Sequence, residues 1–353
     1  AGILVTEGCR GDGGLLLDRN QHRFMPDYEP DKKELASRDV VSRRIEEHIA
    51  AGHGAHSRYG DHVWLDIRLL GKQHIDTKLR EVKEICHYFL GIDPVTQLIP
   101  VRPAQHYSMG GIRTDHRGQS PTLAGLFSAG ESACWDMHGF NRLGGNSVAE
   151  TVVAGMLVGE YIADFCDSPD NDIAVSNTLV RQSLNEQDRR LRALANSTGG
   201  ENAYQLLEEM QQAMTQHVGI FRRGDGLQEA VDTLRALQRR SLDIGLRRQT
   251  RGVNPELVAA YRLQKMLKLA MCVAYGALRR TESRGAHFRE DFPRRDDAQW
   301  FKRTLAFWPD EAGDLPELSY EALNIMEMEL PPGWRGYGAK DHIEHPDTPL
   351  RAA

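Results

Sequence analysis

Cysteine is scarce in this chain and poorly placed for a metal or a disulfide framework. The five residues, Cys9, Cys86, Cys134, Cys166 and Cys272, contain no C-x-x-C pair, and their number is odd. That argues against paired disulfides and against a zinc or iron–sulfur site made by this chain alone, and it fits a reducing compartment. Long apolar runs are missing too. The best candidate, "VVAGMLVGEYIADF", is broken by Glu160, and no stretch reaches the roughly 18 apolar residues that span a bilayer. No signal-peptide pattern opens the sequence. Nor is there a basic excess: the net charge of −6 gives no general reason to expect a nucleic-acid partner. Internal repeats and low-complexity tracts are absent. What is present is the composition of a globular protein, 40% hydrophobic and 27% charged over 353 residues. At about 100–200 residues per domain, two to four units are expected.

The chain opens on Ala-Gly-Ile-Leu-Val, which reads as the middle of a strand, so an amino-terminal portion is expected upstream. Residues 1–103 mix short strands and helices. Ser37 is placed to cap a helix in which Val40, Val41, Ile45 and Ile49 share one face. "HVWLDIRLLG" reads as a strand and turn, and 77–90 as an amphipathic helix broken by Asp93-Pro94. From Pro103 the texture changes. "HYSMGGIRTD" resembles a hairpin around Gly110-Gly111, and "GLFSAGE" a short buried strand with a turn. "GGNSVAETVVAGMLVGEYIADF" reads as a glycine turn feeding a long, largely buried helix. Strand, glycine turn and helix in succession are the grammar of a nucleotide-cofactor domain.

"DSPDND" reads as a linker, and 173–280 as helix after helix. Leu227, Ala230, Val231, Leu234 and Leu237 form one stripe; Leu206, Leu207, Met210, Ala213 and Met214 form another. A three- or four-helix bundle is the plain reading, with Arg235, Arg239, Arg240, Arg247, Arg248 and Arg251 on its solvated face. The tail, 285–353, carries Trp300, Trp308 and Trp334 and reads as irregular and partly extended through "PPGWRGYGAK".

Four clusters carry chemistry: "TEGCRGDGG", "ASRDVVSRR", "HYSMGG" and "HGFNRLGGNS". Each has a bland reading. Arg38 can pair with Asp39 or Glu34 on a surface, His106 can be a satisfied structural histidine, Cys9 can be a packed small residue, and "GGNS" can be a capped turn. Together they suit one reaction, in which a flat dicarboxylic alkene lies against a flavin. Thr6, His106 and Arg142 are suitable clamps for its carboxylates. A hydride reaches one carbon while a proton reaches its neighbour from the opposite face. Arginine is a very weak acid that keeps its proton throughout the physiological range, but Glu7 and Arg10 can form a relay that reprotonates Arg38 at once. The glycines let backbone pass close to cofactor and substrate. A helix starting near Asn146-Ser147 aims its positive end outward, and Glu131 is placed to accept from a ribose-type hydroxyl.

The segments "ILVTEGCRGDGG", "ELASRDVVSRR", "PVRPAQHYSMGGI", "GLFSAGE", "HGFNRLGGNS" and "RRTESRGAHFREDFPRRDD" closely resemble, in order, the flavoprotein subunit of fumarate reductase and succinate dehydrogenase. The terminal "RGYGAK" resembles the menaquinol-linked fumarate reductase type. The resemblance implies an α/β plus all-α protein. Its parts would be a partial α+β capping domain (1–103), the second segment of a partial, Rossmann-like FAD-binding domain (104–172), a helical domain (173–290) and an irregular C-terminal domain (291–353). It implies Arg38 as proton donor with Glu7 and Arg10 behind it, and Thr6, His106 and Arg142 as carboxylate binders. FAD contacts would come from His106, Tyr107, Glu131, Arg142, Leu143, Gly144, Gly145, Asn146, Ser147 and Val148. Cys9 matches an alkylation-sensitive thiol beside the site.

By the same resemblance, electrons pass to or from an iron–sulfur subunit and, through it, a cytochrome b-type membrane anchor and the quinone pool in anaerobic respiration. Fumarate and succinate would be the substrate pair. The protein would sit peripherally on the cytoplasmic face of the bacterial inner membrane, with the periplasmic face as the alternative. The family's GxGxxG loop, its FAD-linked histidine and its His-x-Thr are not in this sequence; the covalent attachment site is expected upstream, and this stretch alone is expected to hold FAD weakly. Two other readings stand beside this one. L-aspartate oxidase shares "HYSMGG", "NRLGGNS" and "ESRG", and a non-catalytic helical adaptor would use 173–280 and lose the site groups.

Overall fold

A single strand organises the amino-terminal part of the chain. In β3 (Gly60–Asp66), Val63 and Leu65 point to the same side and are buried, with Ile67 buried just beyond. This is the period-two pattern of a half-buried strand. β1 (Leu15–Leu17), β2 (Ala55–Ser57) and β4 (Ile99–Val101) each pair with it antiparallel to make one four-stranded sheet. The structure, a computed structural model, describes residues 2–58, 60–171, 176–248, 252–310 and 313–323. Contacts divide the chain into two compact units at 160/161.

Short helices surround that sheet: α1 (Gly8–Gly11), α2 (Met25–Tyr28), α3 (Arg38–His48), α4 (Gly71–Lys78) and α5 (Arg80–Ile85). α3 buries Val40, Val41 and Ile45, and Ile49 packs on the same core, as the apolar periodicity predicts. Ser37 precedes it, but its hydroxyl donates to Asp39 Oδ1 (2.6 Å) instead of accepting from a backbone N–H. The helical turns after α5 end at Gly91, whose φ of +69° is left-handed. That stop comes before the expected Asp93-Pro94 break.

The glycines at 110 and 111 do adopt positive φ, but the segment is not a hairpin. β5 (Ile112–Arg113) runs parallel to β6 (Ala133–Cys134). A Cβ at Gly111 would lie 2.3 Å from the Ser132 carbonyl oxygen, so the two segments cross too closely for any side chain there. "GLFSAGE" is likewise not a regular strand. It contributes one bridge, Phe127 to Gln119, before a tight turn over Gly130–Ser132. α6 (Asn146–Asp167) is helical as expected, yet only Glu150, Ala154 and Val158 are buried. Their spacing of four marks a narrow stripe. Val148, Val152, Val153 and Met156 lie outside it and are exposed, so the helix is not largely buried.

The second unit is the expected bundle. α8 (Ala203–His217), α9 (Gly224–Arg240) and α10 (Pro255–Arg279) pack on one another, with α7 (Asn177–Ala195) against α10. All five residues of the first stripe are buried on α9. Leu206, Met210 and Ala213 of the second are buried on α8, with Leu207 and Met214 packed at its margin. Asn202 and Asn254 cap α8 and α10 through backbone N–H groups two and three residues on. Arg240 faces solvent but is clamped between Glu201 and Glu209. α11 (Asp297–Trp300) is followed by β7 (Lys302–Phe307) and β8 (Glu317–Ala322), an antiparallel pair where an irregular tail was expected. Arg251, "PPGWRGYGAK" and Trp334 lie outside the described residues.

Candidate active site

The "TEGCRGDGG" stretch folds as a tight turn around one buried thiol. Glu7 O accepts from Arg10 N (2.9 Å) and Gly11 N (3.1 Å), and Gly14 N closes back on Cys9 O (2.8 Å). A Cβ at Gly14 would sit 2.6 Å from that same oxygen, so glycine is what lets the chain turn back there. Cys9 points into the core, while Glu7 and Arg10 are only partly buried. Arg10 Nη1 donates to the carbonyl oxygen of Glu34 and, at 3.5 Å, to that of Ala36. It thereby ties this turn to the entry of α3.

Arg38, the first residue of α3, donates from Nε and Nη2 to the two carboxylate oxygens of Glu7, at 2.5 and 2.6 Å. The contact is bidentate, the strong form of an arginine–carboxylate pair. It holds the Glu7 carboxyl below its ordinary pKa, with burial opposing and the charges of Arg10 and Arg142 assisting. Arg10 Nη2 stands 3.7 Å from Glu7 Oε2. The bland pairings of Arg38 are taken by other groups. Glu34 binds Arg23 (2.6 Å) and is nearly fully buried, while Asp39 accepts from Ser37, Arg43 (3.0 Å) and Asn141 (2.9 Å).

The loop before α6 closes on this pair. A Cβ at Gly144 would lie 2.0 Å from Glu7 Oε1 and 3.4 Å from Arg38 Nη2. Arg142, two residues earlier, is 5% exposed. Its backbone N–H reaches Met109 Sδ (3.1 Å), Nη1 donates to Leu143 O (3.0 Å), and its guanidinium lies 4.8 Å over the Tyr107 ring. Nε is buried without a hydrogen-bond partner. Burial first, and the like charge of Arg38 second, lower the Arg142 pKa. Three guanidiniums, of Arg10, Arg38 and Arg142, thus act on one carboxylate, which leaves the cluster with an excess of positive charge.

The remaining candidate residues are less tightly drawn in. Thr6 Oγ1 accepts from Gly8 N (3.2 Å) within its own turn. His106 is exposed and makes no hydrogen bond or ion pair with a described residue. Tyr107 OH donates to Glu150 (2.8 Å), and Glu131 Oε1 accepts from Ser108 N (2.8 Å). Leu143 and Val148 are exposed, Gly145 has φ +79°, and Ser147 O accepts from Thr151 (2.8 Å). Glu150 and Asn141 are not singled out by the sequence, and Asp39 only as a surface partner for Arg38. An acid inside "SVAETVV", and a polar residue adjoining Arg142, were the available signals.

Cys9 differs from the alkylation-sensitive thiol that the resemblance implies. It is 0% exposed, and burial pushes its pKa up to about 11, while alkylation needs an accessible thiolate. Iodoacetamide at pH 7.5 is expected to label Cys9 at least about 100-fold more slowly in the native protein than after denaturation, followed by peptide mass spectrometry. Equal rates would contradict the buried placement.

The comparisons with known proteins place this site in a flavin-dependent oxidoreductase. Residues 1–148 match the FAD binding domain model, and 207–337 the model described as fumarate reductase flavoprotein C-term. The chain belongs to the fumarate reductase and succinate dehydrogenase flavoprotein family. It is 49% identical over 381 residues to a fumarate reductase flavoprotein subunit of Helicobacter pylori, covering 100% of this chain and 53% of that protein. It is 35% identical over 351 residues to a succinate dehydrogenase flavoprotein subunit of Rickettsia bellii, covering 96% and 58%. A solved Escherichia coli quinol fumarate reductase flavoprotein superposes with a TM-score of 0.88 at 36% identity, covering 97% of this chain and 59% of that one. The chain thus spans between half and three-fifths of the length of these relatives.

FAD is the cofactor of this family, and the residues present fit it. Gly110 and Gly145 are exposed and have open space where a side chain would stand, so the two loops present bare backbone. The unpartnered Arg142 Nε is a donor in want of an acceptor, and the 22-residue α6 starts directly after the glycines.

Proposed function

We propose that the flavoprotein interconverts fumarate and succinate, with Arg38 delivering and removing the proton. Bound FAD supplies the ring that gives or takes the hydride. Arg142, Thr6 and His106 bind the two carboxylates and fix the plane of the substrate, and draining charge into the clamped carboxylate polarises the double bond. In the reducing direction Arg38 releases one proton to the carbon next to that receiving hydride, on the opposite face. Arg10 passes a proton to the Glu7 carboxylate, which hands it on to Arg38, and solvent reprotonates Arg10, so the relay ends with the charges it began with. Fumarate gains one hydride and one proton and becomes succinate. The observation that carries this reading is the bidentate Arg38–Glu7 pair with Gly144 held against it. A surface salt bridge would not need a glycine at its back.

In this reading residues 1–103 act as a capping domain, 104–172 belong to the FAD domain, 173–290 form the helical domain and 291–353 the C-terminal domain. Tyr107, Glu131 and the segment from Arg142 to Val148 face FAD. Electrons pass to or from an iron–sulfur subunit and, through a cytochrome b-type anchor, the quinone pool, with the protein peripheral on the cytoplasmic face of the inner membrane and the periplasmic face as the alternative. The link to quinone is supported by the name of a solved relative, a quinol-fumarate reductase with menaquinol molecules. The test is an assay of the FAD-loaded flavoprotein with reduced viologen as donor. Fumarate-dependent viologen oxidation, with no iminoaspartate formed from L-aspartate, is the expected result; aspartate oxidation without fumarate turnover would assign the site to the other chemistry.

A further inference from the structure

Glu150 lies in the first turns of α6 and is 3% exposed. Buried carboxylates persist only where donors replace water, and here three converge. Trp135 Nε1 donates to Oε1 at 2.6 Å, the Tyr107 hydroxyl to Oε2 at 2.8 Å, and His138 Nε2 to Oε2 at 2.7 Å. The histidine must be the donor in its pair, because a carboxylate only accepts. The three donors hold the Glu150 carboxyl below its usual range although burial pushes it the other way. None of the three is a residue that the proposed chemistry uses to move a proton, so the cluster has some other task.

That task is visible one contact further on. The edge-to-face contact of Tyr107 with His138, 5.3 Å between centroids, fixes the phenol ring from one side. Its face carries the Arg142 guanidinium at 4.8 Å. The Arg142 side chain otherwise has one neutral acceptor, Leu143 O, and an unpartnered Nε. An arginine this loosely hydrogen-bonded keeps its donors for a ligand, but something else must then set its direction. A ring face within 6 Å does that without consuming a donor.

We propose that Glu150 is a positioning residue for substrate binding: by anchoring the Tyr107 hydroxyl it fixes the ring that aims the Arg142 guanidinium at a dicarboxylate. The proposal rests on the functional reading above. Glu150 touches neither substrate nor cofactor in this scheme, and acts through Tyr107.

The test uses Glu150→Gln, Tyr107→Phe and the double variant in the FAD-loaded flavoprotein. Three readouts accompany turnover: malonate affinity from perturbation of the flavin absorbance, flavin content, and melting temperature. Glu150→Gln is expected to raise the malonate Kd and the fumarate KM by about tenfold while kcat changes less than about threefold. Tyr107→Phe is expected to do the same, and the double variant to be no worse than the worse single, because both changes cut one link. An unchanged malonate Kd in flavin-replete Glu150→Gln, or additive losses in the double variant, overturns the proposal. If Glu150→Gln does not fold, Tyr107→Phe decides alone, since it keeps the ring and removes only the anchored hydroxyl; an unchanged Kd there overturns it equally. A wild-type protein that neither binds malonate nor reduces fumarate overturns the reading beneath.

Discussion

Arg38→Gln in the FAD-loaded flavoprotein is expected to lower fumarate turnover by about 10³-fold, with malonate affinity within about threefold of wild type. Glutamine keeps a donor for the Glu7 carboxylate but has no proton to release. The split between turnover and affinity is the diagnostic part. A structural salt bridge would show neither loss, and a substrate clamp would show both together. Retained turnover in Arg38→Gln would remove the proposed proton donor, whatever happened to binding. The two hydrogen bonds at 2.5 and 2.6 Å make the prediction specific to this arginine. Arg23 and Arg43 also pair with carboxylates nearby, but neither shares Glu7.

Gly144→Ala is expected to lower turnover by about 10²-fold, again with flavin retained, because a methyl group enters where the relay stands. The added carbon would lie 2.0 Å from Glu7 Oε1 and 3.4 Å from Arg38 Nη2, so the carboxylate must leave the fork or the loop must back away. A side-chain tip normally yields at little cost, but this one is held by both arms of a guanidinium. Steady-state kinetics with fumarate checks it, with melting temperature as the control for folding. Wild-type turnover would mean that the loop and the relay do not meet in the working enzyme.

Much of this was legible in the residues themselves. The helix stripes read correctly because bundles bury one face at a regular period, and α9 did so at all five predicted positions. The parallel pairing of β5 with β6 was not legible: Gly110-Gly111 signals sharp backbone but not which segment arrives beside it. The exposure of Val148, Val152 and Met156 was misjudged for a related reason, since hydrophobicity specifies that a face wants cover and not what covers it. At the candidate site, the sequence displayed Arg38 and Arg142 but not the residues that hold them. Glu150 serves donors 12 to 43 residues away, and no local pattern encodes such a convergence.

One support fastens two distant segments to each other. Asn141 donates to Asp39 across 102 positions of sequence, and each is the immediate neighbour of an arginine: Asn141 of Arg142, Asp39 of Arg38. Separating the two segments has to break that hydrogen bond, and with it the spacing of the guanidiniums. A single amide thus acts as the spacer bar between two charges that would otherwise drift apart.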